Sequence, residues 1–246
     1  MTESVAQPIV APVPAKGLPA RAFGVIFAPK TTYASIAASP RVLGALLLIL
    51  VISCGGTIAL LSTEVGQQAA LEQQIQQRRA FGAPPMTEAQ TAQIERLLPY
   101  FGYIGAAYVA VALIFFSFAL SGLLFAIFNA LLGGDATFKQ VMAIVVHSGF
   151  IFSLSSFFTL PLNYVRESLS SATNLGVFVP FLEETSFAAR LLGALDLVVI
   201  WWMLNLAMGL GVLYKRRTGP VAVGLLVTYF VIALVIAVVR SAFSGS

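Results

Sequence analysis

Residues 101–132 read FGYIGAAYVAVALIFFSFALSGLLFAIFNALL, without a charged residue or a proline. A helix of about 20 predominantly apolar residues crosses a hydrocarbon core of about 30 Å. The stretch therefore predicts a transmembrane helix, and its extra length predicts that the helix tilts or projects from the bilayer. The alternative is a pair of short re-entrant helices with a break near residues 117–122. The absence of proline and charge favours one continuous helix.

Four more stretches are apolar and long enough to span: residues 41–62, 140–162, 190–214 and 221–239. None shows the alternating pattern of barrel strands, and a backbone in lipid must satisfy its own hydrogen bonds. The sequence therefore predicts an all-α fold, a polytopic helical membrane bundle with about five transmembrane helices.

The composition agrees with membrane residence, because 59% of the 246 residues are hydrophobic and only 10% are charged. Soluble domains have about 25% charged residues. The net charge of +4 comes from basic residues beside the apolar stretches, not from a patch with interleaved aromatics, so no nucleic-acid partner is expected. The single cysteine, Cys54, excludes an intrachain disulfide.

Three of the segments outside the predicted spans have a distinctive composition or position. Residues 1–22 are rich in proline and predict a disordered cytoplasmic tail, and residues 241–246 form an external tail. Residues 64–98 are rich in glutamine, and Thr87 with Gln90 forms a capping-box pattern, which predicts an external helical hairpin. This hairpin is either a solvated connector or an ectodomain that binds a partner.

The basic residues predict the orientation, because Lys and Arg in short loops are retained on the cytoplasmic side. With five spans, the side that holds the N-terminus carries eight basic and two acidic residues, and the opposite side carries six basic and seven acidic residues. Lys215, Arg216 and Arg217 lie between the last two spans and are the strongest topology anchors. The N-terminus is therefore predicted to be cytoplasmic and the C-terminus external.

Three motifs appear in order along the chain. Gly24-Val-Ile-Phe-Ala-Pro-Lys-Thr-Thr-Tyr-Ala-Ser-Ile-Ala leads through Ser39-Pro40-Arg41 into the first span, and Ala136-Thr-Phe-Lys-Gln-Val-Met-Ala opens the third. Leu191-Leu-Gly-Ala-Leu-Asp-Leu-Val-Val-Ile-Trp-Trp lies in the fourth. In order and spacing, these motifs resemble bacterial members of the Yip domain family of five-span membrane proteins, over residues 23–240.

The resemblance implies a five-helix bundle with a cytoplasmic N-terminus, residence in the bacterial inner membrane and no enzymatic activity. Eukaryotic relatives are linked to Rab-type GTPases and vesicle traffic. Their longer cytoplasmic N-terminal region has no counterpart in this chain, so a trafficking role is not expected here.

Asp196 is the only acidic residue within a predicted span, and a charge inside a membrane is costly enough to suggest a function. On one continuous helix it shares a face with the small residues Ala189, Gly193 and Ala207, a pattern typical of helix packing. The sequence therefore predicts that Asp196 is buried against the third span near Ser155 and Ser156. Its role is either that of a structural acid or that of a proton or cation site.

The other candidates for an intramembrane polar site are His147, Ser155 and Asn205. His147 is the only histidine, so it is either an interhelical hydrogen-bonding residue or a proton relay, and one histidine cannot form a metal site alone. Asn205, like Asn129 and Asn163, is expected to form interhelical hydrogen bonds. The depth of each residue along its helix places His147 and Asp196 too far apart to pair.

The sequence is compatible with two functions. The first is a non-enzymatic membrane protein that acts through helix packing and through contacts with lipids, a membrane-protein partner or a second copy. The second is a small permease or proton-coupled carrier that uses Asp196. No phosphate-binding loop, catalytic triad or metal motif appears in the sequence, so no catalytic residue, metal or cofactor is predicted.

Overall fold

The computed structural model describes residues 17–80, 82–183 and 186–243, and every regular element in these residues is helical. The eleven α-helices of the described residues are α1 Leu18–Phe27, α2 Pro29–Ala38, α3 Leu43–Leu61, α4 Glu64–Ala80, α5 Glu88–Leu97, α6 Phe101–Phe125, α7 Phe138–Ser148, α8 Phe150–Val165, α9 Phe187–Gly193, α10 Leu197–Leu213 and α11 Thr218–Phe243. The predicted all-α membrane bundle is confirmed.

Four helical stretches of the described chain are long and apolar enough to cross a membrane: Leu43–Leu61, Glu88–Leu131, Phe138–Val165 and Thr218–Ala242. The fifth apolar helix, α10, has 17 residues and a length of about 25 Å, near the lower limit for a span. All five predicted apolar stretches thus correspond to apolar helices.

The contacts at its two ends show that α10 runs the full length of the bundle. Asp196, just before α10, accepts a hydrogen bond from Thr173, which follows α8. Tyr214, just after α10, donates to Asn129, which precedes α7. Because α7 and α8 together form one candidate span, α10 returns the chain from the end of α8 to the start of α7.

The two ends of the bundle differ in composition. We call the end that holds Lys215, Arg216 and Arg217 the basic end, and the end that holds α4 and α5 the hairpin end. At the hairpin end, the capping box of Thr87 and Gln90 starts α5, as the sequence predicts. Helix α5 continues through a 3₁₀ turn, Leu98–Tyr100, into α6 without interruption.

The predicted continuity of the helix over residues 101–132 is confirmed up to Leu131. Residues 117–122 are helical, and the only irregularity is a π-helical segment, Ala126–Leu131, at the basic end. Helix α6 pairs closely with α3, because Gly102 and Gly105 of α6 leave no room for a side chain against the end of α3.

Helix α7 lies at the centre of the bundle, and eight consecutive residues from Val141 to Ser148 are buried. Helices α3, α6 and α10 pack around it, and α1 and α2 complete the enclosure. Gln140 attaches the start of α7 to α2 by donating a hydrogen bond to the Ala37 carbonyl oxygen at 3.0 Å. Helix α11 packs on α9 and α10 at the periphery.

Two sequence predictions are wrong in detail. Residues 18–22 do not belong to a disordered tail: they form the first half of α1, and Arg21 within them is buried. Pro19 and Pro29 lie in the first turns of α1 and α2, where proline is favoured, so these prolines start helices. Residues 1–16 of the predicted tail and 244–246 of the predicted C-terminal tail lie outside the described residues.

The predicted span over residues 190–214 is not one helix. Helix α9 ends at Gly193, and α10 begins at Leu197. The side chain of Asp196 competes for the backbone N–H groups that a continuous helix would use, which is the usual reason for aspartate to begin a helix.

Candidate functional site

A group of polar side chains at the hairpin end surrounds a cavity of about 240 Å³ between α8 and the start of α10. Its polar lining consists of Ser155, Thr159, Asn163, Ser171, Thr173 and Asp196. Asp196 and Ser155, two of the four predicted site residues, therefore lie on the same cavity.

Asp196 is the N-cap of α10, not a residue within a helix. Its Oδ1 accepts hydrogen bonds from the backbone N–H groups of Val198 at 2.7 Å and Val199 at 3.2 Å. The negative charge also lies at the positive end of the helix dipole. The predicted stripe with Ala189 and Gly193 does not exist, because the helix is interrupted between Gly193 and Leu197.

The second carboxylate oxygen of Asp196 holds the segment that follows α8. Its Oδ2 accepts hydrogen bonds from the hydroxyl groups of Ser171 and of Thr173, the latter at 2.8 Å. Backbone hydrogen bonds from Leu175 to Leu195 and from Leu197 to Thr173 fix the same segment. Asp196 therefore joins the start of α10 to the loop after α8.

Tyr229 of α11 supports this junction from the other side. Its hydroxyl accepts a hydrogen bond from the Asp196 backbone N–H at 2.9 Å and donates to the Ala194 carbonyl oxygen at 3.0 Å. The residues between α9 and α10 thus have partners in spite of the break in the helix.

The Asp196 carboxylate in this cavity is engaged in hydrogen bonds. Both oxygens of the Asp196 carboxylate already accept hydrogen bonds from donors, so it offers little free capacity to a cation. Among the described residues, no group of three or more His, Cys, Asp or Glu side chains could hold a metal ion. Ser155 lines the same cavity as Asp196, but its hydroxyl donates to the Phe152 carbonyl oxygen of its own helix and not to Asp196.

The other two predicted residues, His147 and Asn205, are fully buried elsewhere in the bundle. Asn205 of α10 accepts a hydrogen bond from the hydroxyl of Tyr33 and donates to the Val25 carbonyl oxygen at 2.8 Å. We call these three residues the Tyr33–Asn205 link; it joins α1, α2 and α10. Burial raises the pKa of Tyr33 well above its ordinary value, so its hydroxyl stays protonated and donates.

His147 lies in the enclosed helix α7. Its Nδ1 is 2.7 Å from the Ala143 carbonyl oxygen, and its ring meets Phe150 edge to face. The adjacent Ser148 accepts a hydrogen bond from the indole N–H of Trp202 at 2.8 Å and donates to Val145. Trp202 is therefore a packing residue of α10.

At the basic end, Asn129 holds the π-helical segment in place. Its amide donates to the Ala136 carbonyl oxygen at 2.6 Å, and its Oδ1 accepts from the Tyr214 hydroxyl at 2.8 Å. Arg216 donates to the Leu132 carbonyl oxygen at 2.6 Å. Two of the three predicted interhelical asparagines, Asn129 and Asn205, thus form such bonds, whereas the buried Oδ1 of Asn163 has no protein partner among the described residues.

Helices α1 and α2 contribute to this network, although the sequence did not predict them. Tyr33 lies within the segment that carries the family resemblance, but helices of ten residues are too short to register as spans. Arg21 was assigned to the tail, yet only 2% of its surface is exposed. Burial and the nearby charge of Arg41 lower the pKa of Arg21. The prolines in the first turns of α1 and α2 are the signal that could have identified both helices.

Comparison with protein families gives a match to the Yip1 domain over residues 23–240. No curated protein and no solved structure matches significantly. The match starts within α1 and ends within α11, so it covers all five apolar helices and the polar contacts that join them. The chain is therefore an integral membrane protein that belongs to the Yip1 domain family.

Proposed function

We propose that this protein is a non-enzymatic member of its family that acts through helix packing and through contacts with membrane lipids, a membrane-protein partner or a second copy. The observation that carries the proposal is the use of Asp196 as a helix cap. The acidic group that would serve a carrier best is engaged by two backbone N–H groups and two hydroxyl groups.

The buried polar groups support the same function. The Tyr33–Asn205 link and the Trp202–Ser148 hydrogen bond each connect two or more helices inside the bundle. Polar groups that are buried and paired in this way stabilise one arrangement of helices. The outward faces of α3, α6 and α11 are apolar and exposed, which suits them to lateral contacts within the membrane.

A flux assay tests this proposal. The purified full-length protein is reconstituted into liposomes that contain a pH-sensitive dye, and a proton gradient is imposed. We expect the dye response to equal that of empty liposomes, for the wild type and for Asp196→Asn. Asp135→Asn is the matched control, because Asp135 is an exposed acid at the basic end. A proton flux that Asp196→Asn abolishes and Asp135→Asn preserves would replace the proposal with the carrier function.

The proposed location is the bacterial inner membrane, with the N-terminus and the basic end in the cytoplasm and the C-terminus outside. The distribution of basic residues supports this orientation. The test uses a Cys54→Ser background with a new cysteine at Gln74 of α4 or at Lys139 of α7, two exposed positions at opposite ends. We expect an impermeant thiol reagent to label intact cells at Gln74→Cys only. Labelling of Lys139→Cys alone would invert the topology.

A further inference from the structure

A second cavity, of about 560 Å³, lies at the basic end between the last turns of α6 and the first half of α11. We call it the α6–α11 groove. Its volume is within the range of about 300–1,000 Å³ that is usual for ligand sites. Leu124 and Phe128 line one side, and Val221 and Leu225 line the other. Both helices belong to candidate spans, so an apolar molecule in the groove would lie within the membrane.

The mouth of the groove is positively charged. Arg216 and Arg217 line it, beside the first turn of α11, which begins at Thr218. Arg216 is fixed there, because its guanidinium donates to the Leu132 carbonyl oxygen at 2.6 Å. A helix N-terminus adds positive partial charge, so all three features favour an anion at this mouth.

Two backbone features lie along the groove. Residues 126–131 form the π-helical segment on the α6 side, and π segments are frequent at functional sites. On the α11 side, Gly224 lines the groove, and a Cβ placed there would meet no atom within 4 Å. A bulkier residue at this position would therefore occupy the groove without a clash.

We propose that the α6–α11 groove binds an anionic glycerophospholipid, with an acyl chain along the apolar walls and the phosphate at Arg216 and Arg217. The charge at the mouth and the apolar interior match the two parts of such a lipid. This site deepens the proposed function, since it rests on the lipid contacts proposed above. With the basic end in the cytoplasm, the lipid comes from the cytoplasmic leaflet, where anionic lipids attract basic residues.

The test is photocrosslinking of the full-length protein in phosphatidylcholine nanodiscs. The probe is a minor fraction of phosphatidylglycerol or of phosphatidylcholine, each with the same photoreactive acyl chain. Mass spectrometry locates the crosslinked residues. We expect labelling of residues 124–132 and 220–228 to be at least about fivefold stronger with phosphatidylglycerol, because each basic residue near an anionic lipid surface contributes a preference of about that size.

Two variants and two matched controls test separately whether binding requires the positive charge at the mouth and the open space in the groove. Arg217→Gln should reduce the preference for phosphatidylglycerol by about fivefold. Lys215→Gln, which removes the same charge from a residue outside the groove lining, should leave the preference unchanged. Gly224→Leu should reduce labelling by both lipids. Gly55→Leu on the exposed face of α3 should leave labelling unchanged, because a Cβ there also meets open space.

The proposed lipid site would be wrong if the two lipids labelled the protein equally. It would also be wrong if neither Arg217→Gln nor Gly224→Leu changed the labelling. Crosslinks from the groove to a second copy of the chain would identify a protein contact instead. Complete competition by glycerol phosphate would identify a site for a free phosphate ester. Each of these results can occur with no proton flux, so the lipid site can fail while the proposed function stands.

Discussion

Helices α7 and α11 are both predicted spans, but their surroundings are opposite. In an 18-residue window of the stretch that contains α7 and α8, the mean hydropathy is 1.9 and 67% of the residues are buried within the protein. In the corresponding window of α11, the mean hydropathy is 2.9 and 17% of the residues are buried. The more apolar helix is thus the more exposed one. In a soluble protein the order is reversed, because water and not lipid covers the surface.

This difference shows which helices of a membrane bundle need contacts with other helices. Helix α7 carries Gln140, His147 and Ser148, whose polar groups cannot be satisfied by lipid and therefore require protein around them. Helix α11 carries valine, isoleucine and phenylalanine on its outer face, which lipid can cover. Polar content, not hydropathy, marks the centre of this bundle.

The largest effect is expected from removing a buried side chain of α7. Ile144→Ala should lower the free energy of unfolding by about 2–4 kcal/mol, because Ile144 is fully buried between α7, α2 and α10 and its loss leaves a cavity. Val231→Ala on α11, where half of the side chain is exposed, should change it by less than about 0.5 kcal/mol. Reversible unfolding in mixed detergent micelles measures both, and equal losses would refute the contrast.

The next effect is expected from adding bulk. Gly209 of α10 faces α7, and a Cβ there would lie 2.5 Å from Ile144 Cγ2 and 3.1 Å from the Tyr33 ring. Gly209→Leu should therefore cost about 1–3 kcal/mol through overpacking. Gly224→Leu on α11 makes the same chemical change in open space and should leave the melting temperature in detergent unchanged or raised. A larger loss for Gly224→Leu than for Gly209→Leu would show that α11 is tightly packed at Gly224.

A smaller effect is expected from breaking the Tyr33–Asn205 link. Asn205→Leu leaves the Tyr33 hydroxyl and the Val25 carbonyl oxygen without their partner, at a cost of about 1–2 kcal/mol. A double-mutant cycle with Tyr33→Phe measures the coupling between the two side chains. Additive losses in that cycle would show that the two side chains act independently.

The smallest effects are expected at the hairpin end. Asp196→Ala removes the cap of α10 and should cost about 1 kcal/mol, whereas Asp196→Asn should cost less than about 0.5 kcal/mol, because asparagine is an equally good N-cap. Thermal unfolding of the two variants compares them. An equal loss for Asp196→Asn and Asp196→Ala would show that the charge itself, and not the cap, holds this junction.

Much of the fold was predictable because apolar runs in lipid have few structural options. The five apolar stretches, the continuous helix over residues 101–132 and the capping box of Thr87 all follow from local sequence. The candidate site was predictable only in part. Asp196 and Ser155 line one cavity as expected, but the break before Leu197 was missed, since hydropathy across residues 190–214 does not reveal a capping aspartate.

The sequence by itself determined that this chain crosses a membrane as a bundle of helices, because backbone groups in lipid must pair within each helix. The sequence also indicated the family, because the three motifs and their order can be read directly along the chain. Only the tertiary structure decided that Tyr33 forms a hydrogen bond with Asn205, that α1 and α2 pack against α7, and that Arg216 and Arg217 line an apolar groove. These contacts join residues that are far apart in the chain. Apolar helices could pack in many different arrangements with the same hydropathy, and the contacts of particular polar groups and glycines select one arrangement.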